Sequence, residues 1–298
     1  MPDPSVHTSS ADPSEKQRRS ELRRDVVRYY TESQFFYDLF WTERTTRSMN
    51  YGYWDPDTRR LSEAFRNQNR AIADHLQVEE SDRVLEAGCG TGGATVWMAR
   101  HFGCRALGIT LCRRQAERGR RIAAQHSVSE RTGFMVMDFT ETGFSSGSFT
   151  KIFASESVCY ALNKLDFLRE AHRLLRVGGR LVVVDGYRVD RELSVPERET
   201  LGSWARGWAV PGLARVDEFA ADLRTAGFSD IAFRDQTGRV LPSARRILMR
   251  GLSFWPVARA AHAAGMLTKV QLAHVRSSIE QYSIWQRSAL HGIFSARK

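Results

Sequence analysis

The chain has 298 residues, and its 44 Lys and Arg outnumber its 34 Asp and Glu, which gives a net charge of +10. This length suffices for a full hydrophobic core, and a composition of 42% hydrophobic and 26% charged residues excludes a protein that is disordered throughout. The longest stretch without a charged residue, 87–99, has 13 residues and is too short to cross a bilayer. The four cysteines show no Cys-x-x-Cys spacing, which predicts neither a disulfide framework nor a metal site. We therefore expect a cytoplasmic protein without stable membrane insertion.

Residues 1–20 are polar and rich in Ser, Pro and charge, which predicts a disordered tail. Residues 21–80 follow as an N-terminal helical segment, with a helix over 21–41, a loop at 50–54 and an amphipathic helix from 61 to 76. The first helix carries seven aromatic residues within 13 positions: Tyr29, Tyr30, Phe35, Phe36, Tyr37, Phe40 and Trp41. Such a face needs a substrate pocket or a partner subunit to cover it. We therefore predict a homo-oligomer, and exchange of this helix between subunits is one way to form it.

Residues 81–187 alternate between strand and helix patterns. Strand-like runs lie at 83–87, 105–109, 133–137, 151–154 and 180–185, and helical patterns lie at 95–102, 113–126 and 163–175. This strict alternation predicts a doubly wound α/β sheet.

Residues 188–298 are predicted to form a mostly helical cap. They begin with an irregular stretch at 188–212, and then show a helix at 216–226, a strand at 231–234, helices over 240–285 and a last strand at 292–296. Most of the excess positive charge lies here, because residues 236–298 contain ten basic residues and one acid. The basic residues alternate with apolar ones at helical spacing, which favours a solvated helix face over a nucleic-acid surface. We predict no nucleic-acid partner.

The first strand of the α/β segment runs into a glycine-rich turn, Gly88-Cys89-Gly90-Thr91-Gly92-Gly93. Glycines at such a turn let the backbone approach a ligand, and the helix that follows offers unpaired N–H groups. The spacing matches the dinucleotide fingerprint, but that fingerprint also needs an acid about 20 residues further on, and 107–111 contains none. Glu86 instead precedes the first glycine, where a carboxylate suits a ligand with cationic groups. The motif therefore favours S-adenosylmethionine (SAM), which has a sulfonium and an ammonium group, over NAD.

The run from Glu86 to Gly93 resembles the first motif of class I SAM-dependent methyltransferases, and the resemblance covers roughly residues 29–298. Residues 108–115 are similar to the Gly-x-Thr-Leu-Ser-x-x-Gln stretch of the cyclopropane-synthase and sterol C-methyltransferase branch, and 167–181 to its helix-turn-strand signature, with Gly178-Gly179 as the turn. The resemblance implies a Rossmann-like seven-stranded sheet with an N-terminal helical segment and a helical cap. It also implies SAM as cofactor and S-adenosylhomocysteine as product.

The same resemblance implies which residues hold the cofactor. In this branch the ribose is held by backbone groups and a glutamine, here Gln115, and Asp138-Phe139 is similar to the pair that binds adenine. Residues 50–54 look like the loop that covers the methionine end. The implied cofactor-binding residues are Tyr51, Glu86, Gly88, Cys89, Gly90, Thr110, Leu111, Gln115, Asp138, Phe139 and Ser155.

The fourth strand ends in Ser155-Glu156-Ser157-Val158-Cys159-Tyr160. This run lacks the Asn/Asp-Pro-Pro-aromatic turn of nucleic-acid amino-methyltransferases. It also lacks the Glu-Ser-x-His-His motif of many O-methyltransferases. It looks more like the corresponding run of the prenyl C-methyltransferases that act on geranyl diphosphate and terpenoid side chains. Methylation of an alkene needs no base at the start but leaves a tertiary carbocation, which aromatic faces and a buried carboxylate stabilise. We predict catalytic roles for Glu156, Tyr160, Tyr30 and Tyr53. The predicted substrate-binding residues are Tyr29, Phe36, Tyr37, Trp54, Trp204, Trp208 and Trp255.

The predicted function is SAM-dependent C-methylation of a prenyl or terpenoid alkene in secondary metabolism, for example the geranyl chain of a teleocidin-type indolactam. The sequence has no Asp-Asp-x-x-Asp run to hold Mg²⁺ for a diphosphate, which favours an apolar acceptor without one, although the arginine-rich C-terminal region leaves a diphosphate open. Three alternatives stay open. They are a small-molecule O- or N-methyltransferase with a histidine base such as His262 or His291, a lipid cyclopropane synthase, and a nucleic-acid-binding module that keeps SAM.

Overall fold

The structure is a computed structural model, and it describes residues 13–38 and 48–298. Residues 1–12 of the predicted tail, and Phe40 and Trp41 of the predicted aromatic helix, lie outside the described residues.

The described strands form one seven-stranded mixed sheet. They are β1 (Arg83–Ala87), β2 (Arg105–Thr110), β3 (Thr132–Val136), β4 (Phe149–Ser155), β5 (Leu175–Arg188), β6 (Ser229–Asp235) and β7 (Ala289–Arg297). Their order is β3-β2-β1-β4-β5-β7-β6, and β7 runs antiparallel to both of its neighbours while the other pairs are parallel. The strand order reverses between β1 and β4, which is the switch point where doubly wound sheets bind ligands. The predicted Rossmann-like fold is confirmed.

One strand differs from its prediction. β5 has 14 residues and begins at Leu175, not at position 180, because Leu175 pairs with Phe149 across a register shift. The predicted turn Gly178-Gly179 lies inside this strand, where Gly178 takes φ +76° and its N–H donates to the carbonyl of Lys298 at 2.8 Å.

The helices lie on both sides of the sheet. They are α1 (Pro13–Phe36), α2 (Leu61–Leu76), α3 (Gly93–Phe102), α4 (Arg113–Gln125), α5 (Lys164–Leu174), α6 (Val195–Gly207), α7 (Val216–Thr225), α8 (Thr237–Ala263) and α9 (Lys269–Arg287). Alternate β5 residues divide the core in two: Leu181 and Val183 belong to one apolar cluster with α5 and α7, whereas Val182 and Val184 belong to the other, with α2, α3 and α9. No helix in the described ranges is long and apolar enough to span a membrane.

Two helices correct the sequence prediction. α1 begins at Pro13, within the predicted tail, and an ion pair between Glu15 and Arg19, one turn apart, supports its first turns. α6 occupies part of the stretch 188–212 that was predicted to be irregular. Ser194 and Glu197 form a capping box at its start, and Pro196 occupies the first turn, where proline costs no hydrogen bond.

Candidate active site

The glycine turn after β1 provides a backbone cradle at the switch point of the sheet. Gly88, Gly90 and Gly92 all take positive φ, at 78°, 49° and 83°. A Cβ on Gly88 would lie 2.4 Å from the Cβ of Ser157, so this position requires glycine. A Cβ on Gly90 would meet only the Met49 sulfur, at 3.7 Å, which leaves this backbone open to a ligand.

Glu86, the predicted partner of the cofactor's cationic end, lies under this turn and is 4% exposed. Its carboxylate accepts a hydrogen bond from the Thr95 hydroxyl. Burial raises the pKa of Glu86 to about 7, and the bond from Thr95 opposes this only in part. Together with Asn50, Cys89 and Ser155, the carboxylate lines a polar cavity of about 480 Å³. A bound ammonium group would stabilise the ionised form here.

The predicted ribose and adenine residues line an adjoining cofactor cleft of about 840 Å³, including its mouth. At the end of β2, the Thr110 hydroxyl donates to Gln115 Oε1 at 2.8 Å, and Leu111 lies beside them. Asp138 and Phe139 follow β3, and the Phe139 ring packs edge-on against Phe167 at 5.3 Å. Thr140 donates its N–H and its hydroxyl to Asp138 Oδ1, both at 2.7 Å.

Helix α1 forms the outer wall of the cofactor cleft. Arg19 pairs with Asp166 of α5 at 2.5 Å, and Arg23 pairs with Asp138 at 2.5 Å. A carboxylate accepts about four hydrogen bonds, so Asp138 retains capacity for an adenine amine. The donor set therefore fits SAM along its length: carboxylates for the adenine amine and the ammonium, and Thr110 with Gln115 between them.

Two predicted catalytic residues, Tyr30 and Glu156, line the cofactor cleft, the polar cavity and a third cavity of about 490 Å³, the acceptor pocket. Tyr30 comes from α1 and its hydroxyl donates to that of Tyr160 at 3.0 Å. Tyr160 lies in a short 3₁₀ helix, Val158–Tyr160, directly after β4. Tyr30 and Glu156 therefore lie where the three cavities adjoin.

Glu156 is held there by an uncommon backbone conformation. Its φ of +52° is rare for a non-glycine residue, and its N–H donates to the carbonyl of Val184 at 2.7 Å. Its Oε1 accepts the N–H of Tyr51 at 3.1 Å and lies 3.1 Å from Nε2 of His291, whose side chain is fully buried. Glu156 and His291 thus form a hydrogen-bonded pair on the wall of the acceptor pocket.

Five further aromatic side chains among the described residues line the acceptor pocket. Tyr37, Trp204 and Trp208 line it as predicted, and Trp285 of α9 lines it as well. Tyr51 was predicted to contact the cofactor, but it lines this pocket instead, and its hydroxyl donates to Gln281 Oε1 at 3.0 Å.

Burial fixes the protonation state of these aromatic walls. It raises the pKa of Tyr30, Tyr51 and Tyr160 well above the usual value, so all three phenols stay protonated at neutral pH. Burial also lowers the pKa of His274, which packs against Tyr37 and Trp208, to about 3. The tyrosines can therefore offer ring faces and O–H donors, but none of them is a phenolate base.

Two predicted site residues in the loop after the N-terminal helix lie away from the three cavities, behind the pocket wall. Tyr53 is fully buried between the Arg239 guanidinium, 4.5 Å from its ring centre, and the His291 ring. The Trp54 indole donates to the Ser243 hydroxyl at 2.8 Å. Neither of these two side chains, which were predicted to serve catalysis and substrate binding, lines the acceptor pocket.

Three further predicted substrate-binding residues serve packing. The Tyr29 hydroxyl lies 2.9 Å from both the Tyr37 hydroxyl and Nδ1 of His274. Phe36 packs against Phe254 and His274, and Trp255 packs against the same small cluster. The number of aromatic residues indicated an aromatic pocket. Their positions along the chain did not show which of them line it and which pack in the core.

Of two polar residues in the acceptor pocket, Asp185 was missing from the predicted site and His291 was named only as a base for the alternative O-methylation. Asp185 ends the central part of β5 and is 4% exposed, and His291 lies opposite Gly186 in the β5–β7 ladder. The alternation of strands placed both residues near the sheet edge that carries the site, but neither belongs to a recognisable local motif. Among the described residues, no group of three His, Cys, Asp or Glu side chains is placed to hold a metal ion.

Comparison with known proteins agrees with this geometry. The profile of the mycolic acid cyclopropane synthetase family matches residues 16–229. The 27-O-demethylrifamycin SV methyltransferase of Amycolatopsis mediterranei is 30% identical over 207 residues, 69% of this chain and 74% of that protein. The geranyl diphosphate 2-C-methyltransferase of Saccharopolyspora erythraea is 34% identical over 130 residues, 43% of this chain and 45% of that protein.

A solved structure shows the same fold. It is the geranyl diphosphate C-methyltransferase of Streptomyces coelicolor A3(2), in complex with Mg²⁺, geranyl diphosphate and S-adenosyl-L-homocysteine. It superposes with a TM-score of 0.70 at 22% identity, over 93% of this chain and 98% of that chain.

Proposed function

The chain belongs to the mycolic acid cyclopropane synthetase family of SAM-dependent methyltransferases, and from this premise we propose that it methylates a carbon of a prenyl or terpenoid alkene. The observation that carries the proposal is the acceptor pocket, in which aromatic walls surround the carboxylate of Glu156. An alkene that accepts a methyl group becomes a carbocation, and such walls stabilise positive charge while keeping water out.

In this proposal, one set of residues binds the cofactor and another set stabilises the charge on the acceptor. Glu86, Gln115 and Asp138 hold the cofactor, which when bound supplies an electrophilic methyl group on its sulfonium. Tyr30 and Glu156 lie where the cavities join, so Glu156 faces the charge that develops on the acceptor carbon. The cation then loses a proton to the pair of Glu156 and His291, or undergoes a hydride shift or cyclisation within the pocket.

One relative supports C-methylation, since it is named as a geranyl diphosphate 2-C-methyltransferase. We further propose that the acceptor here is a prenyl chain already attached to a neutral group, in the biosynthesis of a secondary metabolite. A geranylated indolactam of the teleocidin type fits this description.

The test is product analysis with purified protein, SAM and a panel of prenylated indoles and terpenoids. We expect a product with one additional methyl group, and NMR to locate that group on a former alkene carbon. The Glu156→Gln variant should lower kcat by about 100-fold or more, because it removes the charge opposite the cation. Glu130→Gln, an exposed carboxylate, is the matched control and should leave kcat unchanged. Products methylated only on oxygen or nitrogen would refute the proposal.

The pair of His291 and Glu156 favours one alternative function, O-methylation of a small molecule. A histidine hydrogen-bonded to a carboxylate is a general base suited to a hydroxyl, and a relative named as a 27-O-demethylrifamycin SV methyltransferase is 30% identical over 207 aligned residues. The two functions differ in which variant is more severe. In O-methylation His291→Gln should reduce kcat more than Glu156→Gln, whereas in carbocation chemistry the order is reversed.

A further inference from the structure

Asp185 is a buried carboxylate of the acceptor pocket that the proposed chemistry does not use. Its Oδ2 accepts the N–H of Cys159 at 2.9 Å and its Oδ1 accepts the N–H of Gly186 at 2.8 Å. A carboxylate accepts about four hydrogen bonds, so about two positions remain for a ligand in the pocket. Burial raises the pKa of Asp185, and the two backbone N–H groups oppose that shift.

Apart from His291, which is hydrogen-bonded to Glu156, the described lining of the pocket has no basic side chain to balance its two carboxylates. Among the described residues that line it, Asp185 and Glu156 are acidic and none is Lys or Arg. Lys164 lies close by, but its ammonium donates to the carbonyls of Cys159, Ala161 and Gly212 at 3.0, 2.7 and 3.0 Å. Those three bonds use all three of its donors. A bound anion would therefore meet two carboxylates, and no Lys or Arg side chain of the described lining would compensate its charge.

The pocket is also lined by buried nitrogen atoms that have no hydrogen-bond partner among the described residues. Trp204 is 3% exposed, and its indole nitrogen has no hydrogen-bond partner among the described residues. The same holds for Nδ1 of His291. Buried polar groups are normally paired, so unpaired ones in a ligand pocket indicate positions where the ligand supplies the partner.

We propose that Asp185 anchors a hydrogen-bond donor or a cationic group at the head of the acceptor, and that the acceptor pocket rejects a diphosphate. This inference depends on the proposed function in one respect, namely that the acceptor carries a prenyl chain. It separates this chain from its relative that acts on geranyl diphosphate, because a diphosphate would lie against Asp185 and Glu156.

Three probes with the same geranyl chain test the proposal: geranylamine, geraniol and geranyl diphosphate. Their heads are a cation, a neutral donor and an anion at pH 7.5. Binding to the full-length protein with S-adenosylhomocysteine present can be followed by quenching of tryptophan fluorescence, because Trp204, Trp208 and Trp285 line the pocket. We expect geranylamine to bind at least ten-fold more tightly than geranyl diphosphate, with geraniol between them.

The Asp185→Asn variant should reduce the preference for geranylamine over geraniol several-fold. Asp82→Asn is the matched control, since Asp82 is also buried but bonds the N–H of Glu79 at the opposite end of β1. Binding of geranyl diphosphate as tight as that of geranylamine, or an unchanged preference in Asp185→Asn, would overturn the proposal. The probe series on the unaltered chain still decides whether the pocket rejects a diphosphate if Asp185→Asn fails to fold.

The two proposals fail separately in these measurements. If the binding order holds and Asp185→Asn reduces the preference, but no prenyl probe is methylated on carbon, the assignment of Asp185 stands and the proposed function falls. If carbon is methylated but the three probes bind equally well, the assignment of Asp185 falls alone.

Discussion

Glu86 has a charge state that depends on whether a cation lies beside it. With the pKa of its carboxyl near 7, the side chain is half protonated at neutral pH in the ligand-free protein. SAM needs the ionised form, so each pH unit below 7 should weaken SAM binding by up to about ten-fold. Calorimetric titration between pH 5.5 and 7.5 checks this. In Glu86→Gln the affinity should be lower and this pH dependence absent, whereas Glu80→Gln, an exposed neighbour in sequence, should behave like the unaltered chain.

The same pKa gives a stability prediction of opposite sign. The folded state raises the pKa of Glu86 from 4.5 to about 7, so it binds more protons than the unfolded state between these values. Stability from this group is therefore fully present below pH 4.5 and is lost as the pH rises through 7. Glu86→Gln should stabilise the ligand-free protein at pH 8 by on the order of 3 kcal/mol, and by little at pH 4.5. Equal stability of the two chains at pH 8 in urea unfolding would contradict the burial argument.

The residues around the glycine turn are close together in the sequence, whereas those of the acceptor pocket are not. Glu86 lies near the end of β1, and Gly88 and Gly90 lie in the turn that follows it, so their spacing in the sequence already indicates a ligand site. His291 reaches Glu156 from 135 residues further along the chain, through the pairing of β7 with β5. Contacts of this kind depend on sheet order and register, which no local pattern contains.

At the scale of elements, α1 controls access to the cofactor cleft. The ion pairs of Arg19 with Asp166 and of Arg23 with Asp138 bind this helix to the α/β core. Partly exposed ion pairs contribute about 0.2–1 kcal/mol each and weaken with salt. Arg23→Gln should therefore accelerate release of S-adenosylhomocysteine by up to about five-fold, measured by stopped-flow displacement at low ionic strength.

The control for this prediction lies one turn and a half further along the same helix. Arg28 forms an ion pair with Glu32 of α1 itself, at 2.7 Å, and with no other carboxylate in 13–38 and 48–298. Arg28→Gln should leave the release rate unchanged, and raising the salt concentration should bring the unaltered chain toward the rate of Arg23→Gln. If the release rate changes neither with salt concentration nor in Arg23→Gln, these ion pairs do not hold the helix against the cleft.

Elements with strong local signals were predicted from the sequence, and elements fixed by their surroundings were not. The period-3.6 pattern of α2 and the apolar run of β1 identified these elements with their observed bounds. α6 was missed because its apolar positions are few and only Trp204 and Gly207 are buried, although its capping box was visible in the sequence. The extension of β5 to Leu175 was missed because glycines at 178 and 179 are typical of turns.

At the scale of the whole molecule, the exposed basic residues lie apart from the acceptor pocket. Of the ten basic residues in 236–298, eight are exposed, which confirms the predicted basic outer face of this part of the chain. The acceptor pocket instead receives its carboxylates from the central strands and its aromatic walls from α1, α6 and α9. The pocket forms only when residues from both ends of the chain come together.

The contribution of α1 makes the predicted exchange of this helix between subunits testable by activity. If a partner's α1 covers the cleft, Tyr30 and Glu156 of one site belong to different chains. Coexpression of Tyr30→Ala with Glu156→Gln would then restore function at about one quarter of the sites in an exchanged dimer, because mixed dimers carry one intact site each. Each variant alone should show little methyl transfer, and coexpression of Glu156→Gln with itself under two tags is the control. A coexpressed pair as inactive as its components would show that each α1 covers the cleft of its own chain.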